Sequence, residues 1–156
     1  MSKIARSSPQ LEWVFATKGQ IPPNAVQGGV EPDGKPLFVA RQFHEGGLQI
    51  GKAAPHLGGL NIGYGGKEVH FDEYYVLVGD ARTLKWVEAK GPVQPQNWIP
   101  LEAGHEQDGK ELFIGKTRYE GGEHIGKVGT HFKHGINFGY GGKERQADDY
   151  YVLSLV

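Results

Sequence analysis

The chain repeats itself once, and this duplication constrains its fold more than any other feature. Asp33-Gly34-Lys35-Pro36-Leu37-Phe38 returns as Asp108-Gly109-Lys110-Glu111-Leu112-Phe113. Glu45-Gly46-Gly47 returns as Glu120-Gly121-Gly122, and Ile50-Gly51-Lys52 as Ile125-Gly126-Lys127, all at an offset of 75 residues. Beyond His56 and His131 one residue is inserted and the offset becomes 76: Asn61-Ile62-Gly63-Tyr64-Gly65-Gly66-Lys67-Glu68 matches Asn137-Phe138-Gly139-Tyr140-Gly141-Gly142-Lys143-Glu144, and Tyr74-Tyr75-Val76-Leu77 matches Tyr150-Tyr151-Val152-Leu153. Upstream the match loosens to Trp13-Val14 with Trp86-Val87. A period this long, present in two copies, is not a solenoid unit. Either half alone would be marginal by surface-to-volume scaling. The halves are therefore expected to form one cooperative unit, about a pseudo-twofold axis or as two small lobes sharing a core. We place a flexible segment at 1–10 and a tandem-repeat domain at 11–156, with repeats over about 11–80 and 81–156.

Composition narrows the class. Among 156 residues there are 25 glycines and nine prolines, which suits short strands joined by tight turns and weakens helix interiors. No stretch of ten or more residues keeps a 3.6-residue apolar period without Gly or Pro. Strands are read from alternation at Leu37–Arg41, Tyr74–Val78, Leu84–Ala89, Leu112–Gly115 and Tyr151–Leu155. Pro32-Asp33-Gly34 and Gln107-Asp108-Gly109 read as turns. The expected fold is all-β, an antiparallel β-sandwich or barrel-like domain built from two pseudo-twofold-related repeats.

Charge and cysteine content exclude several functions. Seventeen Lys/Arg against eighteen Asp/Glu leave no basic excess for nucleic acid, so no nucleic-acid partner is expected. No apolar run approaches the roughly 20 residues of a spanning helix, so no membrane insertion by the chain alone is expected. The N-terminus has no apolar core, which points to a cytoplasmic protein or one released without a classical signal peptide. The absence of cysteine removes disulfides, zinc-thiolate sites and a cysteine nucleophile. Seven histidines could suggest a metal. Only His56 and His131 recur at matching positions, and no pair has the spacing of a zinc helix, so surface or hydrogen-bonded histidines are expected, with no metal and no cofactor.

Polar residues retained in both halves are Glu31/Glu106, Asp33/Asp108, Glu45/Glu120, Lys52/Lys127, His56/His131, Asn61/Asn137, Lys67/Lys143, Glu68/Glu144 and Asp72/Asp148. Together with Gly-x-Glu-x-x-Gly-x-x-Leu-Phe, Glu-Gly-Gly-x-x-x-Gly-Lys, Gly-Tyr-Gly-Gly-Lys-Glu and Tyr-Tyr-Val-Leu, this pattern resembles the tandem DM-nine repeat of invertebrate pattern-recognition lectins, over Trp13 to Leu153. The resemblance implies a non-catalytic lectin that recognises mannose-type glycans or microbial surface polysaccharide, in innate recognition; a homodimer is a separate expectation for its assembly. It places sugar contacts on an acidic residue and a lysine: Glu31 with Lys52, and Glu106 with Lys127. The acidic residue is often Asp in the family's lectins, and Pro often precedes Gly-Lys; here they are Glu, and Ile50 and Ile125.

The chemistry suits those residue types. A carboxylate accepts from two sugar hydroxyls and an ammonium donates to two hydroxyl oxygens, in charge-assisted bonds. Opposite charges held near each other stay ionised. The bland alternative is a surface Glu–Lys ion pair that steadies two turns, and in either case the pair is expected to be exposed and of little weight in folding. Secondary contacts are expected from Asp33, Asp108, Tyr64 and Tyr140, although the aspartates also read as turn acceptors and the tyrosines as sheet-face aromatics. Two further functions remain open at this point. One is a targeting or oligomerisation module for a pore-forming partner. The other is a glycosidase with Glu31 and Glu45 as its carboxyl pair, although nothing tells an acid from a nucleophile there.

Overall fold

The structure, a computed structural model, describes residues 11–156; the expectation of a flexible segment at 1–10 lies outside the described residues. Among those residues there is no α-helix, only two single 3-10 turns at Pro55–Leu57 and Ala81–Thr83. The strands of the first repeat are β1 (Glu12–Thr17), β2 (Gln27–Val30), β3 (Pro36–His44), β4 (Gly47–Ala54), β5 (Gly59–Tyr64), β6 (Lys67–Phe71) and β7 (Glu73–Val78). Those of the second are β8 (Leu84–Lys90), β9 (Ile99–Pro100), β10 (Glu102–His105), β11 (Glu111–Tyr119), β12 (Gly122–Val128), β13 (Ile136–Tyr140), β14 (Lys143–Ala147) and β15 (Asp149–Leu155). All pairings are antiparallel. The strands read from alternation fall in β3, β7, β8, β11 and β15. The glycine-rich strands β4, β5, β12 and β13 were not legible that way, because they are covered on both faces and carry no polar side to alternate with.

Two strands organise the sheet. β4 and β12 each have three partners, and three arcs join them: β3–β2, β10–β11 and β5–β6–β14–β13. The long arc with either short one closes a barrel of eight antiparallel strands, and β1, β7, β8, β9 and β15 lie outside it in both cases. Each repeat lends a strand to the other, since β2 pairs with β12 and β10 with β4.

The core follows this exchange. Leu37, Val39 and Ile50 from the first repeat meet Leu112, Ile114 and Ile125 from the second in one shared cluster. Each repeat also keeps a cluster of its own, around Leu60, Ile62 and Tyr74 in one and Ile136, Phe138 and Tyr150 in the other. The retained Tyr74 and Tyr150 hydroxyls donate to the carbonyls of Gln20 and Gly91.

The glycine of the repeated Gly-Lys step has a steric cause. A Cβ on Gly51 would run into the Asn61 carbonyl oxygen across the β4–β5 ladder, and one on Gly126 would meet the Asn137 carbonyl in the same way. These obstacles are backbone atoms in mid-sheet and cannot swing aside. Gly34, by contrast, faces open space and carries only a left-handed φ of 93°. Gly51→Ala or Gly126→Ala should therefore cost about 3 kcal/mol or more. Gly34→Ala should cost only about 1 kcal/mol, from backbone strain. Urea unfolding of the three variants checks the ranking, and equal losses would contradict the steric account.

Candidate functional site

A strand edge bonds one neighbour at a time, so β4 and β12 must change partner along their length. On β4, Leu48 pairs with His105 of β10, and from Gly51 onward the edge pairs with β5. On β12, Glu123 pairs with Val30 of β2, and from Gly126 onward the edge pairs with β13. The sheet forks at these two points. Gln49 sits in one fork and His124 in the other, both almost completely buried.

The strand that leaves each fork carries the predicted carboxylate one residue past its end. Glu31 follows β2 and Glu106 follows β10. Matching turns hold them: the Glu31 N–H donates to the Lys35 carbonyl at 2.8 Å and the Gly34 N–H to the Glu31 carbonyl at 2.9 Å, and Glu106 repeats both bonds with Lys110 and Gly109. A histidine grips each carboxylate from the side. His56 Nε2 lies 2.8 Å from Glu31 Oε2, and His131 Nε2 lies 2.9 Å from Glu106 Oε2. The retained histidines are thus hydrogen-bonded to the carboxylates.

The lysines lie inside the sheet, which corrects the expectation of an exposed pair. Lys52 is 3% exposed and Lys127 4%, because they belong to β4 and β12, which have neighbours on both edges. The direct Glu–Lys contact is replaced by a relay. Lys127 Nζ donates to Gln49 Oε1 at 2.7 Å, and Gln49 Nε2 donates to Glu106 Oε1 at 3.0 Å. At the other fork Lys52 Nζ donates to His124 Nδ1 at 3.2 Å. The nearest carboxylate oxygens to the lysines are Glu68 Oε2, 3.9 Å from Lys52, and Glu144 Oε2, 3.8 Å from Lys127. Burial pulls both lysines below the ordinary ammonium range; Glu68 and Glu31 oppose this for Lys52, and Glu144 and Glu106 for Lys127. Burial alone would raise the Glu106 carboxyl, but bonds from His131 and Gln49 and the Lys127 charge hold it below the usual range.

The Gly-Tyr-Gly-Gly-Lys-Glu motif links the forks. The β5–β6 and β13–β14 hairpins meet tip to tip, with Lys67 opposite Lys143. Glu68 Oε1 accepts from the Gly142 N–H and Glu144 Oε1 from the Gly66 N–H, both at 3.0 Å. Each tyrosine crosses to the other repeat's lysine: Tyr140 lies under Lys52 Nζ at 5.4 Å and Tyr64 under Lys127 Nζ at 5.0 Å. The expected secondary contacts therefore separate. The tyrosines line the lysine sites in exchanged fashion, whereas Asp33 and Asp108 are exposed turn residues whose Oδ1 atoms accept from the N–H groups of Lys35 and Lys110. Glu45 and Glu120 occupy hairpin turns at φ of 51° and 49°. Comparing the halves missed Gln49 and His124, since a position that differs between repeats is discarded by a search for what they share.

The DM9 repeat family matches residues 4–71 and 63–147, so the chain belongs to the DM9 repeat family. Its fold is similar to that in the crystal structure of the nematode sperm cell motility protein MFP2B, with a TM-score of 0.70 at 18% identity over 94% of this chain and 46% of that one. The chain thus spans about half the length of that protein, and the likeness is one of fold. No curated protein matches the sequence.

The His124 ring stays neutral in the fold. Burial, reinforced by the Lys52 charge and opposed by Glu31 and a backbone contact with Tyr119, pulls its pKa from 6.5 down to about 4. Below pH 6.5 the unfolded chain takes up a proton that the folded chain refuses, so this residue's contribution to stability falls as pH drops from 6.5 towards 4. The loss should be on the order of 3 kcal/mol. Urea unfolding of the wild type and of His124→Gln at pH 7 and pH 4.5 reads it as a difference. A variant with the same pH dependence as the wild type would contradict the assignment.

Proposed function

We propose that the protein is a non-catalytic carbohydrate-binding protein for mannose-type glycans, working in glycan or microbe recognition, with its contacts at the forks of the sheet. The observation that carries this reading is the duplicated placement of a histidine-gripped carboxylate at the rim of each fork, above a buried lysine with a further carboxylate behind it. Glu31 and Glu106 keep about a fifth of their side-chain surface open, at 19% and 23%. A rim carboxylate accepts from vicinal hydroxyls, and the buried ammonium polarises the site from beneath. No bridging cation is required. Catalysis is disfavoured because Glu31 lies near the start of β3 and Glu45 in the turn past its far end, whereas a glycosidase pair must flank one bond.

Calorimetric titration with methyl α-mannoside tests the reading. Binding should survive a chelator, and no nitrophenyl glycoside should be turned over. Glu31→Gln combined with Glu106→Gln should weaken binding by about 1.5–3 kcal/mol, the scale of a hydrogen bond to a charged group. Unaltered affinity in that double variant would sink the proposed contacts.

The lysines now carry a different expectation from the carboxylates. Because they are buried, Lys52→Ala or Lys127→Ala should destabilise the fold by about 3 kcal/mol, leaving a carboxylate and a ring nitrogen or amide without their partner. Thermal melts alongside the titrations distinguish lost folding from lost binding, and a lysine variant as stable as the wild type would contradict the burial argument.

A further inference from the structure

The two forks share their lysine, carboxylate and histidine, but the side chain that fills the gap is Gln49 in the first repeat and His124 in the second. The side chain in each fork serves the site whose lysine comes from the opposite repeat, so Gln49 belongs with Lys127 and Glu106, and His124 with Lys52 and Glu31. The exchange changes what the rim carboxylate can do. Gln49 has an acceptor and a donor at one end, and uses both: its oxygen takes the Lys127 bond and its nitrogen gives one to Glu106. With His131 on the other oxygen, both Glu106 oxygens are engaged. His124 offers one acceptor to Lys52, and its remaining nitrogen, Nε2, is buried without a partner instead of reaching Glu31. Glu31 is held through Oε2 alone, by His56.

Resting on the carbohydrate reading, we propose that the forks are unequal: the Glu31 fork, with one carboxylate oxygen free of protein bonds, takes a single sugar per chain, while in the Glu106 fork, of similar exposure, Gln49 acts as a latch that ties Glu106 to Lys127. A hydroxyl entering the first fork finds a carboxylate oxygen ready to accept. In the second each oxygen already accepts one protein bond, and a hydroxyl that takes the place of the amide uncouples a buried ammonium from its partner.

The surroundings favour the same fork. Ile21, Lys35, Pro36, Phe38, Pro55 and His56, the last of them bonded to Glu31, line a cleft of about 440 Å³, giving an apolar wall for the C–H face of a pyranose or for its aglycone. In the second repeat the places of Pro36 and Pro55 are taken by Glu111 and Thr130.

Two measurements test this, one without sugar. Amidation by a water-soluble carbodiimide and an amine, mapped by mass spectrometry, should label Glu31 roughly fivefold or more faster than Glu106, and Gln49→His should bring Glu106 up to the Glu31 rate. Titration with methyl α-mannoside should give one site per chain. Glu31→Gln should lower its affinity roughly tenfold or more. Moving the latch should move the site: His124→Gln closes the first fork, and Gln49→His opens a second, with thermal melts confirming that each variant folds. Equal labelling of the two carboxylates, or two equivalent sugar sites in the wild type, would overturn the latch and leave the carbohydrate reading standing. Unequal labelling with no sugar bound by any variant would overturn the carbohydrate reading, and the single sugar site with it, leaving only the inequality of the carboxylates.

Discussion

A β-strand has two edges, and at each point an edge can satisfy one neighbour. β4 and β12 are asked for three neighbours each, and the fork is the geometric answer. Everything particular to this molecule follows from those two partings of the sheet. The strand that leaves one repeat at a fork joins the other repeat, which is why the halves share a core. The parting opens a gap in the main-chain ladder, and a side chain must fill it. Gln49 and His124 fill it with groups that can accept from a lysine, in the places where backbone groups would otherwise have paired.

Burying an ammonium is expensive unless its charge is answered, and the protein answers it from several directions. Lys52 has His124 at hydrogen-bonding distance, Glu68 behind it and the face of Tyr140 below; Lys127 has Gln49, Glu144 and Tyr64. Glu68 and Glu144 each serve two ends, since the oxygen that does not face a lysine holds the opposite hairpin by a glycine N–H. The lysine sites and the junction between repeats thus share Glu68 and Glu144 in one electrostatic network.

Duplication supplied two copies of this network, and the divergence of Gln49 and His124 made their hydrogen bonding differ. The turns that present Glu31 and Glu106 have matching bonds, and the histidine grips agree to within 0.1 Å. Symmetry in the scaffold therefore coexists with asymmetry at the carboxylates. One glutamine or one imidazole decides whether the charge at the rim is tied inward or left facing outward.

Much of this could be read from the chain alone. Exact repetition fixed the number of halves, and the motif resemblance led to the DM9 repeat. The turns around Asp33 and Asp108 were legible because Gly and Asp have local conformational reasons to be there. Alternation revealed β3, β7, β8, β11 and β15, whose side chains meet different surroundings on their two faces. It could not reveal β4, β5, β12 and β13, buried on both. The retained acid and lysine were visible as residue types, but their burial was not: exposure depends on how many strands lie alongside, which no local pattern records. Gln49 and His124 stayed hidden for a related reason. Their part depends on a neighbour more than seventy residues away, and only the closing of the sheet brings Gln49 to Lys127 and His124 to Lys52.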